Sequence, residues 1–576
     1  MDRGYGYHAE LIQRHIELVP GYPGIRDALL PELDLGEETL RAILGTAAEF
    51  AESRLVPINR AGDLQGCRFE AGRVLAPDCY RQAWEEITSA GWNSVDQPSN
   101  FGGQGLPLFI NTACRELFDR ACMAIGMLTG PTRAGSQVLM EFADPAVQDE
   151  WLPQLVAGKW SLTICISEAD AGSDVGRIRS QAVQDPDGRW RVTGEKMWTS
   201  FGDHDLVERI GHLLLARSPG APPGTAGLSL FLVPNKVRSS SGEWVVNGVS
   251  PRRIEEKLGL HGSPTCAMGF EGAEAYLLGR QHRGLSQMFV MIQSMRLMVA
   301  TEGVGMSFGA EQAALNYAAE RKQGGNPSRP PVAINDHADI QRQLLSMAGR
   351  VEVLRGMLYE LAIRIDLERQ GIAADERHAQ VTQWLLPIAK ASCAEAAFEI
   401  PSAAIQVLGG AGYTREWPCE QWLRDARMMS IAEGSTGIQA LDLLHRRLWR
   451  DNGETLSAFV ETATKELQSA SSELAAPALL VIERLKRVGR HMLGWHESSR
   501  DAEAGAVAFL QLAFLAVTAW IAVRLASGAG DDRIGRRIAA AGRYWLSDID
   551  ARSALQERDA LAGAARLAEF HQIENG

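Results

Sequence analysis

The chain has 576 residues, of which 45% are hydrophobic and 22% charged, and its formal net charge is −13. This composition is typical of a folded globular protein, and the length exceeds what one hydrophobic core supports. The acidic balance argues against nonspecific binding to nucleic acid or anionic membranes, because both require a basic surface. The eight cysteines form no CxxC pair or zinc-site spacing, and the N-terminus has no apolar signal region. We therefore expect a cytoplasmic protein with reduced thiols and no bound metal.

Three changes of pattern along the chain predict four domains. Residues 1–160 place apolar residues three and four positions apart, which predicts an N-terminal helical domain. Residues 161–280 contain short β-rich runs broken by turn sequences such as DPDG and SPGAPPG, which predicts a middle β-domain. Helical periodicity returns over 281–450 as a predicted bundle, and an Ala-rich block, 451–576, predicts an additional C-terminal helical domain. The predicted fold is mostly α with a central β-domain.

Residues 504–523, AGAVAFLQLAFLAVTAWIAV, are long and apolar enough to span a bilayer. They also contain Gln511 and Thr518, and helical, charged sequence flanks them. A buried helix at the centre of a bundle explains this composition better than a transmembrane span. We therefore expect no stable membrane insertion.

Two glycine-rich stretches have the spacing of nucleotide-binding loops but the wrong context. GVGMSFG (303–309) lies in a helical window rather than after a strand, so close helix packing explains its glycines better than a dinucleotide site. GGQGLP (102–107) lacks the GK[ST] that a phosphate-binding P-loop requires.

Two segments of the β-domain carry polar or aromatic residues beside predicted strands. In ICISEADAGSDVG (164–176) a strand leads into a loop of small residues, whose backbone N–H groups can approach a flat or anionic ligand. An ordinary connection between strands is the alternative. GEKMWTSFG (194–202) offers Trp198 as an aromatic wall and Ser200 as a hydrogen-bonding group, although a strand Trp is usually part of the core.

Glu433 stands between an Ile-Ala pair and a Gly-Ser-Thr turn in IAEGSTGIQA. It can be a first-turn acid favoured by the helix dipole, with Ser435 or Thr436 as the cap. It can also be a proton acceptor, because a carboxylate in apolar surroundings loses hydration and becomes a better base. The residues alone leave both interpretations open.

These motifs occur in an order that resembles the acyl-CoA dehydrogenase family. The resemblance rests on TICISEADAGSDVG, GEKMWTSFGDHD, ERKQGG and VLGGAGYTREWPCEQWLRDARMMSIAEGSTGIQ, and it covers about residues 35–450. EEKLGLHGSPTCAMGFEGAEAYLLG (255–279) is similar to the branch that contains 3-methylmercaptopropionyl-CoA and broad-range fatty acyl-CoA dehydrogenases. Members of that branch carry an extra C-terminal helical domain, which fits residues 451–576.

The resemblance implies a bound FAD and α,β-dehydrogenation of an acyl-CoA to the trans-2-enoyl-CoA. Glu433 matches the base that removes the α-proton, while flavin N5 accepts the β-hydride. Some relatives place the base on the helix that corresponds to FVMIQSMRLM, but the matching residue here is Met295, which cannot accept a proton.

The resemblance also implies further contacts with cofactor and substrate. The implied FAD contacts are Ile166, Ser167, Trp198, Ser200, Arg321 (to the FAD of a neighbouring subunit), Gln406, Gly409, Gly410 and Ser435. The implied substrate contacts are Ser173, Arg296 and Gly434, although Arg296 can also be a solvated helix-face residue. The chain departs from the family pattern at Ala432, Gln323, Gly324 and Gly437, and Gln323 and Gly324 directly follow the implied FAD contact region at Arg321.

The implied partners are an acyl-CoA substrate, an electron-transfer flavoprotein as electron acceptor, and further copies of the chain in a homodimer or homotetramer. An oxidase that reoxidises its flavin with O₂ is an alternative on the same scaffold. A low-turnover, DNA-associated relative is another, since the tail contains basic clusters such as RIGRRIAAAGR. These clusters are interleaved with acids, which favours solvated helix faces and no nucleic-acid partner.

Overall fold

The computed structural model describes residues 4–33, 36–373 and 375–575, and they form two compact units. The first unit comprises Met1–Glu49, Thr112–Arg120 and Val299–Gly576, and the second comprises Phe50–Asn111 and Ala121–Met298. This division into compact units does not follow the predicted boundaries at 160, 280 and 450, and those boundaries stay predictions.

The elements before the central sheet are mostly helical, as predicted. They are α1 (Tyr5–Leu18), α2 (Tyr22–Leu33), α3 (Glu37–Phe50), α4 (Val56–Gln65), β1 (Arg68–Glu70), β2 (Arg73–Leu75), α5 (Cys79–Ser89), α6 (Leu108–Phe142) and α7 (Pro145–Val156). The short hairpin β1–β2 is a feature that the helical prediction for this region lacks. Its turn places Ala71 and Gly72 at φ of 50° and 77°. A Gly tolerates this left-handed backbone without steric cost, so it suits a tight turn.

The second unit contains a seven-stranded sheet. Its strands are β3 (Trp160–Cys165), β4 (Gln181–Gln184), β5 (Trp190–Ser200), β6 (Arg209–Arg217), β7 (Leu228–Pro234), β10 (Val249–Ile254) and β11 (Thr265–Leu278), with a separate hairpin of β8 (Lys236–Arg238) and β9 (Trp244–Val246). The order is β10-β11-β5-β4-β6-β3, and β7 pairs with both β11 and β6. The strands β11, β5, β4, β6 and β7 therefore close into a barrel-like ring, which confirms the predicted central β-domain.

The helices after the sheet form the bundle of the first unit and its C-terminal extension, except that α8 up to Met298 belongs to the second unit. They are α8 (Gly284–Glu320), α9 (Ala338–Arg369), α10 (Glu376–Leu408), α11 (Cys419–Ala426), α12 (Thr436–Leu444), α13 (Glu454–Leu467), α14 (Ser472–Gly494), α15 (Ser499–Gly528), α16 (Arg533–Leu546), α17 (Ile549–Leu561) and α18 (Phe570–Asn575). Buried Arg524 on α15 ties the extension to the bundle, since it pairs with Glu360 of α9 and Glu466 of α13, each at 2.7 Å.

Helix α15 carries the apolar stretch noted in the sequence. Among the described residues it alone is long and apolar enough to cross a membrane, but 83% of its apolar window is buried inside the protein. It packs against α14, α16 and α17. The expected core helix is therefore confirmed.

The glycines of GVGMSFG lie on α8 and not in a nucleotide-binding turn. A Cβ at Gly303 would approach the Cys393 carbonyl oxygen to 2.5 Å, and a Cβ at Gly305 would approach that of Glu116 to 2.5 Å. Helices α10 and α6 therefore pack too closely against α8 to leave room for a side chain at Gly303 or Gly305. This confirms that close helix packing explains these glycines.

Candidate functional site

In the second unit, the structure brings four of the predicted cofactor residues together. Ile166 and Ser167 directly follow β3, while Trp198 and Ser200 lie at the end of β5. The backbone N–H of Met197 donates to the carbonyl of Ser167 at 2.9 Å, which joins the two segments. The two motifs that sequence analysis treated separately therefore form one surface.

Trp198 has an unusual environment for a strand tryptophan. Its side chain is 59% exposed, and its backbone φ is +61°, a left-handed value rare for a bulky residue. Such residues persist only where the surrounding structure holds them, and they cluster at ligand sites. The interpretation of Trp198 as a core residue is wrong, and its exposed ring beside Ile166 and Ser167 suits stacking against a planar cofactor.

Glu168 folds the loop that follows β3 back onto the sheet. It accepts hydrogen bonds from Arg179 N (2.7 Å), Ser180 N (3.0 Å), Ser180 Oγ (2.6 Å) and Lys196 Nζ (2.8 Å). Burial raises the pKa of Glu168, but Lys196 and the other donors outweigh it and lower that pKa below its ordinary value. The acid is therefore a structural anion, and the loop presents Ser173 as an exposed side chain.

Arg296 is only 4% exposed, so it is not a solvated helix-face residue. The neighbouring Met295 is 2% exposed and belongs to the apolar core of the second unit. This burial agrees with the inference that Met295 is not the base.

In the first unit, Glu433 lies in the turn before α12. Ser435 is the N-cap of α12, and its hydroxyl accepts a hydrogen bond from Ile438 N. Glu433 precedes that cap by two residues, and the first turn of α12 contains no acidic residue. The interpretation of Glu433 as a first-turn acid is therefore wrong.

The Glu433 turn has a left-handed backbone. Its φ is +56°, and Gly434 follows with a φ of +89°. Glu433 is half-buried. A glutamate in this conformation costs on the order of 1–3 kcal/mol unless surrounding contacts hold it, and such strain clusters at functional sites.

Lys390 and Gln439 supply contacts that sequence analysis missed. Lys390 is fully buried, and its Nζ donates to the carbonyls of Met429 at 2.8 Å and Gly434 at 2.7 Å. The Nε2 of buried Gln439 donates to the carbonyls of Glu433 at 3.0 Å and Gly434 at 3.1 Å. The available signal was Lys390 itself, the one charged residue in the apolar stretch 385–393, LLPIAKASC.

A fully buried carboxylate, Glu302 on α8, lies near half-buried Glu433. Burial raises the pKa of Glu302 well above its ordinary value, and the charges of Asp119 and Glu433 add to this shift while Arg115 opposes it. Oε1 of Glu302 and Oδ2 of Asp119 are both buried and have no hydrogen-bond partner among the described residues, while Arg115 donates to the other Asp119 oxygen. Burial also raises the pKa of Asp119 to about 7, despite the opposing Arg115 charge.

The other predicted cofactor contacts of the first unit lie on its surface. Gln406, Gly409 and Gly410 are exposed at the end of α10, and a Cβ at either glycine would meet no atom of the described residues within 4 Å. Arg321 is exposed after α8. These residues are accessible to a ligand or a further subunit.

His261 has structural contacts in the second unit. Its Nδ1 lies 2.8 Å from Asp63 Oδ1, and its Nε2 lies 2.9 Å from the Lys257 carbonyl. Across residues 4–33, 36–373 and 375–575, no group of His, Cys, Asp and Glu is arranged to hold a metal ion. All eight cysteines are described, and none forms a disulfide.

Comparison with known families accounts for most of the chain. Residues 37–159 match the acyl-CoA dehydrogenase N-terminal domain, residues 163–273 match the middle domain, and residues 282–448 match the C-terminal domain. The matched regions include all the site residues described above.

The chain is also similar to curated dehydrogenases. It is 35% identical over 518 residues to 3-methylmercaptopropionyl-CoA dehydrogenase of Ruegeria pomeroyi, covering 88% of each chain. It is 33% identical over 444 residues to broad-specificity linear acyl-CoA dehydrogenase FadE5 of Mycobacterium tuberculosis, covering 74% of this chain and 72% of that one.

A solved structure shares the fold over nearly the whole length. Caenorhabditis elegans ACDH-11 in complex with C11-CoA superposes with a TM-score of 0.78 at 21% identity, covering 90% of this chain and 89% of that one. Bacillus anthracis acyl-CoA dehydrogenase complexed with FAD gives a TM-score of 0.74 at 19% identity, covering 92% and 88%. With three matched domains and relatives above 30% identity, the chain belongs to the acyl-CoA dehydrogenase family, a family of oxidoreductases that act on acyl-CoA.

Proposed function

We propose that this protein catalyses the FAD-dependent dehydrogenation of an acyl-CoA between Cα and Cβ, giving the trans-2-enoyl-CoA, with Glu433 as the base. The observation that carries this proposal is the position of Glu433 in the family's C-terminal domain. Its backbone is held in a left-handed turn, and Ser435 performs the capping that would otherwise explain an acid here.

The residues that would hold FAD fit such a ligand. Trp198 presents an exposed ring beside Ile166 and Ser167, where a flavin ring can stack, and Ser200 is close by on β5. Gly409 and Gly410 leave open space at the end of α10 for the adenosine end, next to Gln406. When bound, FAD supplies the hydride acceptor for the β-carbon.

The chain's own contribution to the reaction is proton transfer and polarisation. The α-C–H of a thioester is a weak acid, so its removal requires a positioned base and stabilisation of the developing enolate. A carboxylate oxygen of Glu433 takes the α-proton. The backbone N–H of Glu433 donates to the thioester carbonyl oxygen, where negative charge develops.

The proposed substrate class is an acyl-CoA. Two of the relatives reported above are named for 3-methylmercaptopropionyl-CoA and for linear acyl-CoAs. Ser173 and Arg296 are proposed contacts of the CoA moiety. Anaerobic titration with butyryl-, octanoyl-, palmitoyl- and 3-methylmercaptopropionyl-CoA, followed by flavin bleaching, identifies the preferred acyl group.

Substitution of the base tests the mechanism. Glu433→Gln keeps the size of the side chain but removes the proton acceptor, so we expect retained FAD and acyl-CoA binding without flavin bleaching. Glu416→Gln, at an exposed acid on the same unit, is the matched control and should bleach like the parent. Bleaching by Glu433→Gln at the parental rate would place the base elsewhere.

The electron acceptor is proposed to be an electron-transfer flavoprotein. The protein itself is proposed to be a cytoplasmic homodimer or homotetramer, in which exposed Arg321 contributes a contact across the subunit interface. Anaerobic reduction by acyl-CoA and subsequent admission of air tests the first point. Slow reoxidation is expected, whereas immediate return of the oxidised spectrum with formation of peroxide would show an oxidase.

A further inference from the structure

The backbone of the Glu433 turn needs an external restraint. Glu433 and Gly434 both have positive φ values, and a non-glycine residue tolerates this conformation only where neighbouring groups hold it. Two backbone hydrogen bonds in this turn run from the N–H groups of Ile431 and Ala432 to the Met428 carbonyl, and both donors precede Glu433. They do not hold the carbonyls of Glu433 and Gly434.

Two buried side chains provide that restraint. Lys390 Nζ donates to carbonyls on both sides of Glu433, those of Met429 and Gly434. Gln439 Nε2, from α12, donates to the carbonyls of Glu433 and Gly434. The Gly434 carbonyl therefore receives donors from α10 and from α12. Hydrogen bonds from a charged donor are about twice as strong as neutral ones, so Lys390 is the stronger restraint.

The burial of Lys390 supports a specific role. An ammonium group is almost never fully buried, because removing it from water is costly. Lys390 has 0% exposure, and it lies in an apolar stretch of α10. Two of its donated bonds end on the six-residue segment from Met429 to Gly434 that carries the base.

We propose that Lys390 is a positioning residue for Glu433. Its two hydrogen bonds fix the left-handed turn and so aim both the carboxylate and the backbone N–H of Glu433 at the substrate. Gln439 assists from the other side of the turn. This inference rests on the proposed function, because it assigns Glu433 as the group that is positioned. Its consequence is that loss of Lys390 slows the chemical step more than it weakens binding.

Lys390→Met tests the proposal, because it keeps the length of the side chain and removes the donors. The full-length holoenzyme is mixed anaerobically with the acyl-CoA of the panel that bleaches the parent fastest. The rate constant of flavin reduction and the Kd of the acyl-CoA are measured. We expect reduction to slow by ~100-fold, the scale of a misplaced catalytic group, with a Kd within about threefold of the parent. Lys390→Arg restores a charged donor, so its flavin should be reduced at least about tenfold faster than that of Lys390→Met.

Ser392→Ala is the matched control on the same helix. Ser392 is 2% exposed, and its hydroxyl has no hydrogen-bond partner in the part of the chain that the structure describes, so its loss should leave the reduction rate unchanged. A rate constant of flavin reduction in Lys390→Met that lies within about twofold of the Ser392→Ala value would overturn the proposal. An equal loss in Lys390→Met and Lys390→Arg would also overturn it, because the restored donors would then be irrelevant.

Gln439→Met keeps the proposal testable if Lys390→Met fails to fold with FAD. It removes the weaker restraint, so about tenfold slower reduction with retained FAD is expected. Parental reduction by folded Gln439→Met would in that case overturn the proposal. Failure of the proposed function is a separate result, since Glu433→Gln would then bleach its flavin whatever the Lys390 variants do.

Discussion

Lys196 Nζ lies 2.8 Å from Glu168 Oε1 in the second unit, where Lys196 is fully buried and Glu168 is half-buried. Lys196 also donates to the carbonyls of Ile166 at 3.0 Å and Leu215 at 2.8 Å. One side chain of β5 thus binds the end of β3 and the loop that follows it. The pair therefore shapes the surface on which Trp198 and Ser167 lie.

Lys196→Met should destabilise the second unit and weaken FAD binding. Removing one partner from a buried ion pair leaves the other charge uncompensated, which costs about 3–5 kcal/mol. We expect a clearly lower apparent Tm and a lower ratio of flavin to protein after gel filtration. Lys159→Met, at an exposed lysine of the same unit, controls for loss of a lysine. Equal Tm and flavin content in the two variants would contradict the structural role of Lys196.

The sequence predicted the β-domain and the helical bundle because their periodicities are local. Runs such as SLTICIS and LSLFLVP show strand patterns within a few residues, and these strands are found in β3 and β7. The motif resemblance also located the Glu433 turn. Local pattern could not choose between Ser435 and Thr436 as the cap of α12, and the structure assigns Ser435.

The restraints on the site were beyond sequence analysis because they are tertiary. Lys196 finds Glu168 28 residues away, and Lys390 finds Gly434 44 residues away. A lysine in an apolar stretch indicates that a buried partner exists, but not which carbonyl it reaches. The positive φ of Trp198 is likewise set by the surrounding sheet, since its residue type gives no reason to expect it.

Trp198→Ala should reduce FAD retention with little effect on stability. The ring is 59% exposed, so its loss removes little packing from the protein, but it removes the surface available for stacking. We expect about tenfold weaker FAD binding, measured by flavin fluorescence during dilution, which corresponds to about 1.4 kcal/mol. Trp244→Ala, at a 39% exposed tryptophan of the same unit, should retain FAD like the parent. Unchanged retention in Trp198→Ala would argue against a flavin contact.

His212→Gln should make stability less sensitive to acid. Burial alone lowers the pKa of His212 to about 3, against about 6.5 in the unfolded chain. Below pH 6.5 the unfolded state therefore takes up a proton that the folded state does not, so the folded protein becomes less stable as the pH is lowered. The free energy of unfolding decreases by about 2 kcal/mol between pH 6.5 and pH 5 from this ring.

The measurement is the fall in apparent Tm between pH 7 and pH 5, which should be smaller in His212→Gln than in the parent. His212 Nδ1 lies 2.8 Å from Thr163 Oγ1, so the variant loses some stability at both pH values, and only the difference is diagnostic. His491→Gln, at an exposed ring, controls for the loss of a histidine. An equal fall in His212→Gln and the parent would show that this ring does not stay neutral.

Glu302→Gln and Glu116→Gln should change stability in opposite directions, although both acids are fully buried. Glu116 meets Arg355, His8 and Tyr359, which overcome the effect of burial and lower its pKa to about 2. Burial raises the pKa of Glu302, and the charges of Asp119 and Glu433 raise it further against the opposing charge of Arg115. Burial alone thus does not decide the charge of a carboxyl group; its neighbours do.

The sign for Glu302 follows from proton linkage. Its folded pKa lies above the unfolded value of about 4.3, so the folded state holds an extra proton, and stability falls as pH rises above that value. Glu302→Gln keeps a neutral group of the same shape, so it does not lose stability in this way as pH rises. The apparent Tm of the variant minus that of the parent should therefore increase from pH 5 to pH 8. Glu116→Gln breaks a buried ion pair and should be destabilised by about 3–5 kcal/mol.

Infrared spectroscopy of the parent at pH 6 gives an independent readout. A protonated Glu302 contributes a carboxylic acid C=O band that shifts in D₂O, and this band should be reduced in Glu302→Gln but remain in Glu116→Gln. If the band is the same in all three proteins, Glu302 is ionised, and its buried charge then needs compensation beyond Arg115. The comparison therefore determines whether the carboxyl group beside the proposed base is neutral, which matters because a second negative charge there would oppose the enolate that Glu433 helps to form.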